Sequence, residues 1–260
     1  MNLPDHFRLS QNSLQDYVDC PRRFELKYIL RQEWPAVISE PIMEFELHQQ
    51  LGRQFHALVQ QHLSGISEKY LEPFQNDPLL ERWWKNYLTF IKQYEQDKCM
   101  AEVITTIPFN QYHITAKFDC VVFGKDHFAR IIDWKTSRHR TSSRVLSHKM
   151  QSLIYPYVFY KTHLKDYSPQ QIQLIYWFPE YPSEPEFISY LPAKHTEIEN
   201  YLQETISEIA SLKPGMFPLT ETESNCQFCV YRSLCKRGIR AGSEPDEDID
   251  LEVISSELEK

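Results

Sequence analysis

Three β-branched and aromatic runs follow one another in the middle of the chain, at residues 102–108, 112–123 and 127–134. The breaks between them are short and turn-like, Phe109-Asn110-Gln111 and Gly124-Lys125-Asp126. Such breaks leave each run little choice but to fold back on the one before, so they predict a meander of strands. That meander constrains the fold most, because the sequence on either side of it reads largely as helix. Upstream, apolar spacing predicts helices over 10–30, 41–63 and 78–97. The first carries Leu14, Tyr17, Val18, Phe24, Leu26 and Tyr28, with Ser10 or Asn12 as its cap. Pro21 interrupts it and suits the first turn of a second helix. The others carry Leu51, Phe55, Leu58 and Val59, then Trp83, Trp84, Leu88 and Ile91. Downstream come a helix at 144–163, strands at 171–178 and 186–191, and a helix at 195–211. Strands in series among helices predict an α/β (mixed α+β) architecture, a central mixed sheet flanked by helices.

The chain has 260 residues and a formal net charge of −8. Eight acids and one lysine between Glu244 and Lys260 account for seven of those negative charges. The body is therefore close to neutral, and a local basic cleft is compatible with it. Residues 1–240 read as one domain, and 241–260 as an acidic, disordered tail. No apolar run has the length of a membrane span, and the N-terminus lacks an apolar signal region, so a cytoplasmic setting is expected and no membrane partner. With six glycines and neither GxxxxGK nor GxGxxG, nothing in the chain cradles a nucleoside triphosphate or a dinucleotide.

The third run ends in Asp133-Trp134-Lys135. Residues two apart on a strand share a face, so Asp133 and Lys135 point together and Trp134 points the other way. If Trp134 and Ile132 enter the core, Asp133 and Lys135 line a cleft. The preceding run, ITAKFDCVVF, places Asp119 where a hairpin brings it near Asp133. Two such carboxylates repel unless a cation lies between them, and oxygen ligands suit Mg²⁺ or Mn²⁺. On the Asp133-x-Lys135 pattern alone, which is short and common, a surface ion pair at a strand end is the readier explanation.

The helix after the meander holds Gln151 and Tyr155 in MQSLIYPYVF, and an upstream helix holds Gly52 and His56 in LGRQFHALVQ. Together with Asp119 and Asp133-Trp134-Lys135, these resemble, in order, the motifs of the PD-(D/E)XK nuclease superfamily and most closely its RecB-like branch. Ala116 stands where that branch often has glycine. The resemblance implies a restriction-endonuclease-like fold. It implies metal ligation by His56, Asp119, Asp133 and the Trp134 carbonyl, and a catalytic role for Lys135. Gln151 and Tyr155, four apart on one helix face, would line the cleft and touch DNA.

Three of the six cysteines form Cys226-x2-Cys229-x5-Cys235. In a reducing compartment this clustering favours metal over disulfides. Three thiolates need a fourth ligand, for zinc or for an iron–sulfur cluster. The segment around Cys20, DCPRRFELKY, resembles the early cysteine of the iron–sulfur subset of the same branch, of the AddB and CRISPR-associated adaptation type. That resemblance implies a [4Fe–4S] cluster on Cys20, Cys226, Cys229 and Cys235, fastening the two ends of the chain around the core; zinc is the competing occupant. Cys99 and Cys120 are left over, and Cys120 reads as a small core residue.

No acid occurs between Lys135 and Met150, while Arg138, Arg140, Arg144 and Lys149 do, beside His139 and His148. This stretch reads as a phosphate-binding surface, with Arg138, Arg140 and Arg144 as DNA contacts. Aromatic residues make up 13% of the chain, and most are expected in the core. The expected activity is metal-dependent DNA cleavage; the resemblance implies exonuclease action on single-stranded DNA or DNA ends, in repair, recombination or CRISPR-type processing. The alternatives are a catalytically silent iron–sulfur DNA-binding subunit of a helicase–nuclease complex and an iron–sulfur scaffold that docks on a helicase. The chain has no helicase motif, so any motor or CRISPR or repair protein would be a separate partner.

Overall fold

A computed structural model of the chain describes residues 3–4, 6–34, 40–72 and 76–238. The acidic tail read at 241–260 lies outside them. In chain order the elements are β1 (Arg8–Ser10), α1 (Gln11–Asp19), α2 (Pro21–Phe24), a π-helical turn (Glu25–Ile29), α3 (Glu40–Leu63), α4 (Glu68–Leu71) and α5 (Pro78–Ile91). Then come β2 (Lys98–Phe109), β3 (Tyr112–Phe123), β4 (Ala129–Trp134), α6 (Ser143–Leu146), α7 (Met150–Thr162), β5 (Ile172–Trp177), β6 (Glu186–Ser189) and α8 (Pro192–Ser211). Ser10 caps α1 through a reciprocal box with Ser13, and Pro21 opens α2. The expected helix over 144–163 is two pieces, α6 and α7, with a break at Ser147–Lys149. Strand β1, too short to carry a periodic signal, was not legible in the sequence.

The meander is antiparallel, as expected. Phe109 pairs with Tyr112 around a tight turn at Asn110-Gln111, where Asn110 takes the left-handed φ of 53° that asparagine tolerates. β2 runs along the whole of β3, while β1 lies parallel beside its first half and β4 antiparallel beside its second. β4 and β5 are parallel, joined by the α6–α7 crossover, and β6 closes the far edge antiparallel to β5. The sheet is therefore mixed.

Each face carries its own core. Ala129, Ile131, Leu174 and Tyr176 pack with Ile154, Tyr155 and Phe159 of α7 and Leu202 and Ile206 of α8. The intervening residues Ile132, Trp134, Ile175 and Trp177 pack with Phe55 and Val59 of α3 and Trp83, Trp84 and Tyr87 of α5. Most of the aromatic residues are spent here, each buried apolar side chain contributing about 1.5–3 kcal/mol. The ends of the described chain also meet. Phe217 stacks on Phe24 at 6.1 Å, Asn225 Nδ2 donates to the Asp19 carbonyl at 2.9 Å, and Tyr231 Oη donates to the Gln32 carbonyl at 2.9 Å. Glu25, fully buried in the π-helical turn, holds Arg22 and the Gly215 N–H. Among the described residues no helix is long and apolar enough to cross a membrane.

Candidate active site

Strand β4 ends at the centre of the sheet. Trp134 and Ile132 enter the α3–α5 core, which turns Asp133 and Lys135 to the opposite face, under the first turn of α7. Both are buried, at 1% and 8% exposure. Lys135 Nζ lies 3.2 Å from Asp133 Oδ2 and donates to Gln151 Oε1 at 3.0 Å. Gln151 Nε2 in turn donates to Asp133 Oδ1 at 2.6 Å. The three side chains form a closed ring of polar contacts, with the ammonium 5.5 Å from the Tyr176 ring centroid. A buried ion pair so arranged is not a surface pair at a strand end. Gln151, 5% exposed, holds Asp133 and Lys135 through these two hydrogen bonds.

Asp119 joins this end of β4 through the backbone: its Oδ2 accepts the Trp134 N–H at 3.0 Å. His56 arrives from the other face. Gly52, one turn earlier on α3, lets the helix lie against the chain beyond β4, since a Cβ there would stand 2.5 Å from Thr136 Oγ1. His56 Nε2 is 3.0 Å from the Trp134 carbonyl. A carbonyl only accepts, so Nε2 carries the proton and Nδ1 bears a lone pair in the neutral ring. Nδ1 faces Asp119 Oδ2 at 3.6 Å. A lone pair against a carboxylate is unfavourable unless a proton or cation lies between them. The spacing GxxxH thus has a physical reading: glycine for approach, histidine for the strand end.

A third acid enters that the sequence reading missed. Ala101 pairs with Cys120 and Val103 with Phe118, so Glu102 sits directly across β2–β3 from Asp119. Opposed residues share a face with Cβ atoms about 5 Å apart, and like charges there repel. Glu102 has φ 53°, a left-handed conformation unusual for a non-glycine residue in mid-strand. At this level both strands change phase. Ile107 and Phe109, like Ile114, Ala116 and Phe118, serve one core, whereas Cys99, Cys120 and Val122 serve the other. Glu102 and Asp119 lie at that slip, which lets Asp119 meet both His56 and the Trp134 N–H. One ligand atom from each of His56, Glu102 and Asp119 lies within 4.8 Å of the others. A nitrogen and two carboxylates at that spacing fit a hard divalent cation. Asp133, expected in the ligand set, is outside this compact group and engaged with Lys135 and Gln151.

The remaining expected site residues divide. Tyr155 is 1% exposed, packs edge-on to Phe118 at 5.1 Å and accepts a hydrogen bond from Gln11 Nε2 at 3.3 Å. In this structure its side chain supports the turn of α7 that carries Gln151. Arg140 pairs with Glu186 of β6 and with Glu184 just before it. Arg138 is exposed, with its carbonyl accepting from Tyr181 Oη at 3.1 Å. Arg144, His148 and Lys149 line, with Gln15 and Val145, an open depression of about 390 Å³ at the start of α7.

Cys20, Cys226, Cys229 and Cys235 come near enough to act on one another. Burial raises the thiol pKa of Cys226, Cys229 and Cys235, and Cys20 raises each further. Cys229 is pushed up to about 11. A cysteine set gathered in this way fits a shared cation, whose loading displaces thiol protons. Among the described residues no three of them close to the 4.8 Å spacing of the histidine–carboxylate group. Cys120 is fully buried in the α3–α5 core, as expected.

A family model described as the PD-(D/E)XK nuclease superfamily matches residues 8–236. No curated protein is detectably similar to the chain. Two solved structures are similar in fold. The crystal structure of SSO0001 is 15% identical, covers 90% of this chain and 88% of its own, and has a TM-score of 0.44. A protein from Eubacterium rectale that carries the provisional name of exonuclease is 14% identical, with coverages of 96% and 93% and a TM-score of 0.49. Both likenesses are too distant to speak to activity.

Proposed function

The chain belongs to the PD-(D/E)XK nuclease superfamily, and we propose that it is a divalent-metal-dependent exonuclease acting on single-stranded DNA or DNA ends. The observation that supports this most is the convergence at the end of β4: His56, Glu102 and Asp119 within 4.8 Å, beside a lysine held by Asp133 and Gln151. His56, Asp119 and Glu102 would hold Mg²⁺ or Mn²⁺ as they stand, and Asp133 and the Trp134 carbonyl would join them once released from Gln151 and His56. The bound cation supplies Lewis acidity toward water and the scissile phosphate. Lys135 keeps its ammonium at that phosphate and stabilises the charge that develops as the P–O bond breaks. Gln151 and Tyr155 position that lysine.

Arg138, Arg144 and Lys149 are the cations that we assign to the DNA backbone. Arg140 already has acidic partners and contributes less. Arg144→Ala is therefore expected to weaken binding of single-stranded DNA and to reduce the slope of log K against log[salt] by about 0.7, the value for one phosphate contact on single strands. Arg140→Ala should reduce the slope by less than Arg144→Ala does, as measured by fluorescence anisotropy at several salt concentrations.

Cys20, Cys226, Cys229 and Cys235 would hold a [4Fe–4S] cluster with a structural role. The hydrogen bonds from the 217–233 segment to residues 19–34 support this, because they already bring the two ends together. The cytoplasm, and a separate helicase, repair or CRISPR protein as partner, complete the reading.

A further inference from the structure

Lys117 is two residues before Asp119 on β3 and forms an ion pair with Glu102. We propose that Lys117 is an internal stand-in for the metal: it holds Glu102 while the cation is absent and passes to a DNA phosphate when the cation binds. This rests on the metal site and the DNA substrate proposed above, and adds to them a coupling between metal and nucleic acid.

Four observations carry it. Glu102 is placed by register opposite Asp119, and its carboxylate lies within the compact group with His56. Its left-handed backbone holds it in a position that ordinary strand geometry would not favour, a cost usually met where a side chain is needed. Its side chain is 16% exposed, whereas that of Lys117 is 52% exposed, so the carboxylate is fixed and the lysine can swing. Lys117 also emerges on open surface, opposite Ile104, which is 66% exposed.

Charge then sets the order of events. Glu102, Asp119 and Asp133 bring three negative charges to the end of β4, and Lys117 and Lys135 offset two of them. A divalent ion overcompensates the remainder. At the spacing of this group an ammonium and a divalent ion on one carboxylate repel strongly, so the ion displaces Lys117 from Glu102. The displaced ammonium stays within a side-chain length of the site where the phosphate backbone must pass. Metal binding therefore releases a phosphate-binding cation. By linkage, DNA that captures Lys117 tightens metal binding by the same factor.

The test is a Mn²⁺ titration of the full chain followed by electron paramagnetic resonance. It is run alone and with a phosphorothioate single strand that resists cleavage, and DNA-only signal is subtracted. Site-bound Mn²⁺ is the part lost in Asp119→Asn. Without DNA, Lys117→Met is expected to bind Mn²⁺ at least about fivefold more tightly than the unaltered protein. DNA should tighten Mn²⁺ binding to the unaltered protein by a clearly larger factor than in Lys117→Met, where only the coupling through the phosphate at the metal remains. Glu102→Gln should bind Mn²⁺ more weakly and make residue 117 irrelevant. Thermal melts check that each variant folds, which the exposure of Lys117 favours. Site-bound Mn²⁺ with the same affinity in Lys117→Met as in the unaltered protein overturns the stand-in role alone. Absence of site-bound Mn²⁺ from the unaltered protein overturns the metal site as well.

Discussion

Lys135→Met is expected to lower cleavage of single-stranded DNA by at least about 10²–10³-fold, the loss typical when a preorganised donor to a developing anion is removed. The substitution has a second consequence that must be separated from the first. Asp133 is 1% exposed and 3.2 Å from Lys135. Removing the ammonium leaves a buried carboxylate uncompensated, which costs about 3–5 kcal/mol in comparable pairs. The single variant should therefore melt earlier as well as cut more slowly. Asp133→Asn combined with Lys135→Met removes both charges, and Gln151 can still hydrogen bond to the amide. That double variant should regain most of the stability and none of the cleavage. If cleavage returned with stability, the pair would be a fold element only, and the catalytic assignment of Lys135 would be wrong.

Cys20→Ser is expected to abolish iron retention and the broad absorption near ~400 nm of the cluster-loaded protein. It should also lower the melting temperature substantially. Structural metal sites in small domains contribute on the order of 10 kcal/mol. Even a third of that shifts the midpoint of a domain this size by about 6–12 °C. The effect should not be total unfolding. Glu25, the Phe24–Phe217 stack and the Asn225 and Tyr231 hydrogen bonds join the same two regions without any metal. Cys120→Ser, buried in the α3–α5 core, should retain the iron while losing some stability. Stoichiometric zinc in a colourless protein, or iron retained by Cys20→Ser, would contradict the cluster assignment.

What the sequence disclosed follows from what sequence periodicity can encode. The meander, the flanking helices and the inward-facing Trp134 were legible because strand alternation and helical stripes are local signals. Short turns fixed the order of β2, β3 and β4. β1 was hidden because three residues carry no period, and the break between α6 and α7 because no glycine or proline marks it. Glu102 escaped for another reason. In the sequence it is one more residue of a strand, yet the turn at Asn110-Gln111 sets it opposite Asp119 once the hairpin is counted back with equal arms. Tyr155 and Arg140 show the reverse limit. Their types suit DNA contact, and the partners they also hold here, Gln11 and Glu186, are distant in sequence and leave no local signal. Gln151 was placed at the site by motif, and only geometry gives it the work of holding Asp133 and Lys135.

Incubation of 5′- and 3′-labelled single-stranded DNA with the protein, in Mg²⁺, Mn²⁺ or EDTA, tests the central claim most directly when Asp119→Asn is run beside it. Asparagine can still accept the Trp134 N–H, so the variant should keep its fold. Shortening of labelled strands with either metal, none in EDTA and none in Asp119→Asn is the predicted result. Cleavage that persists in EDTA or in the variant, or no cleavage with any divalent ion, would contradict it.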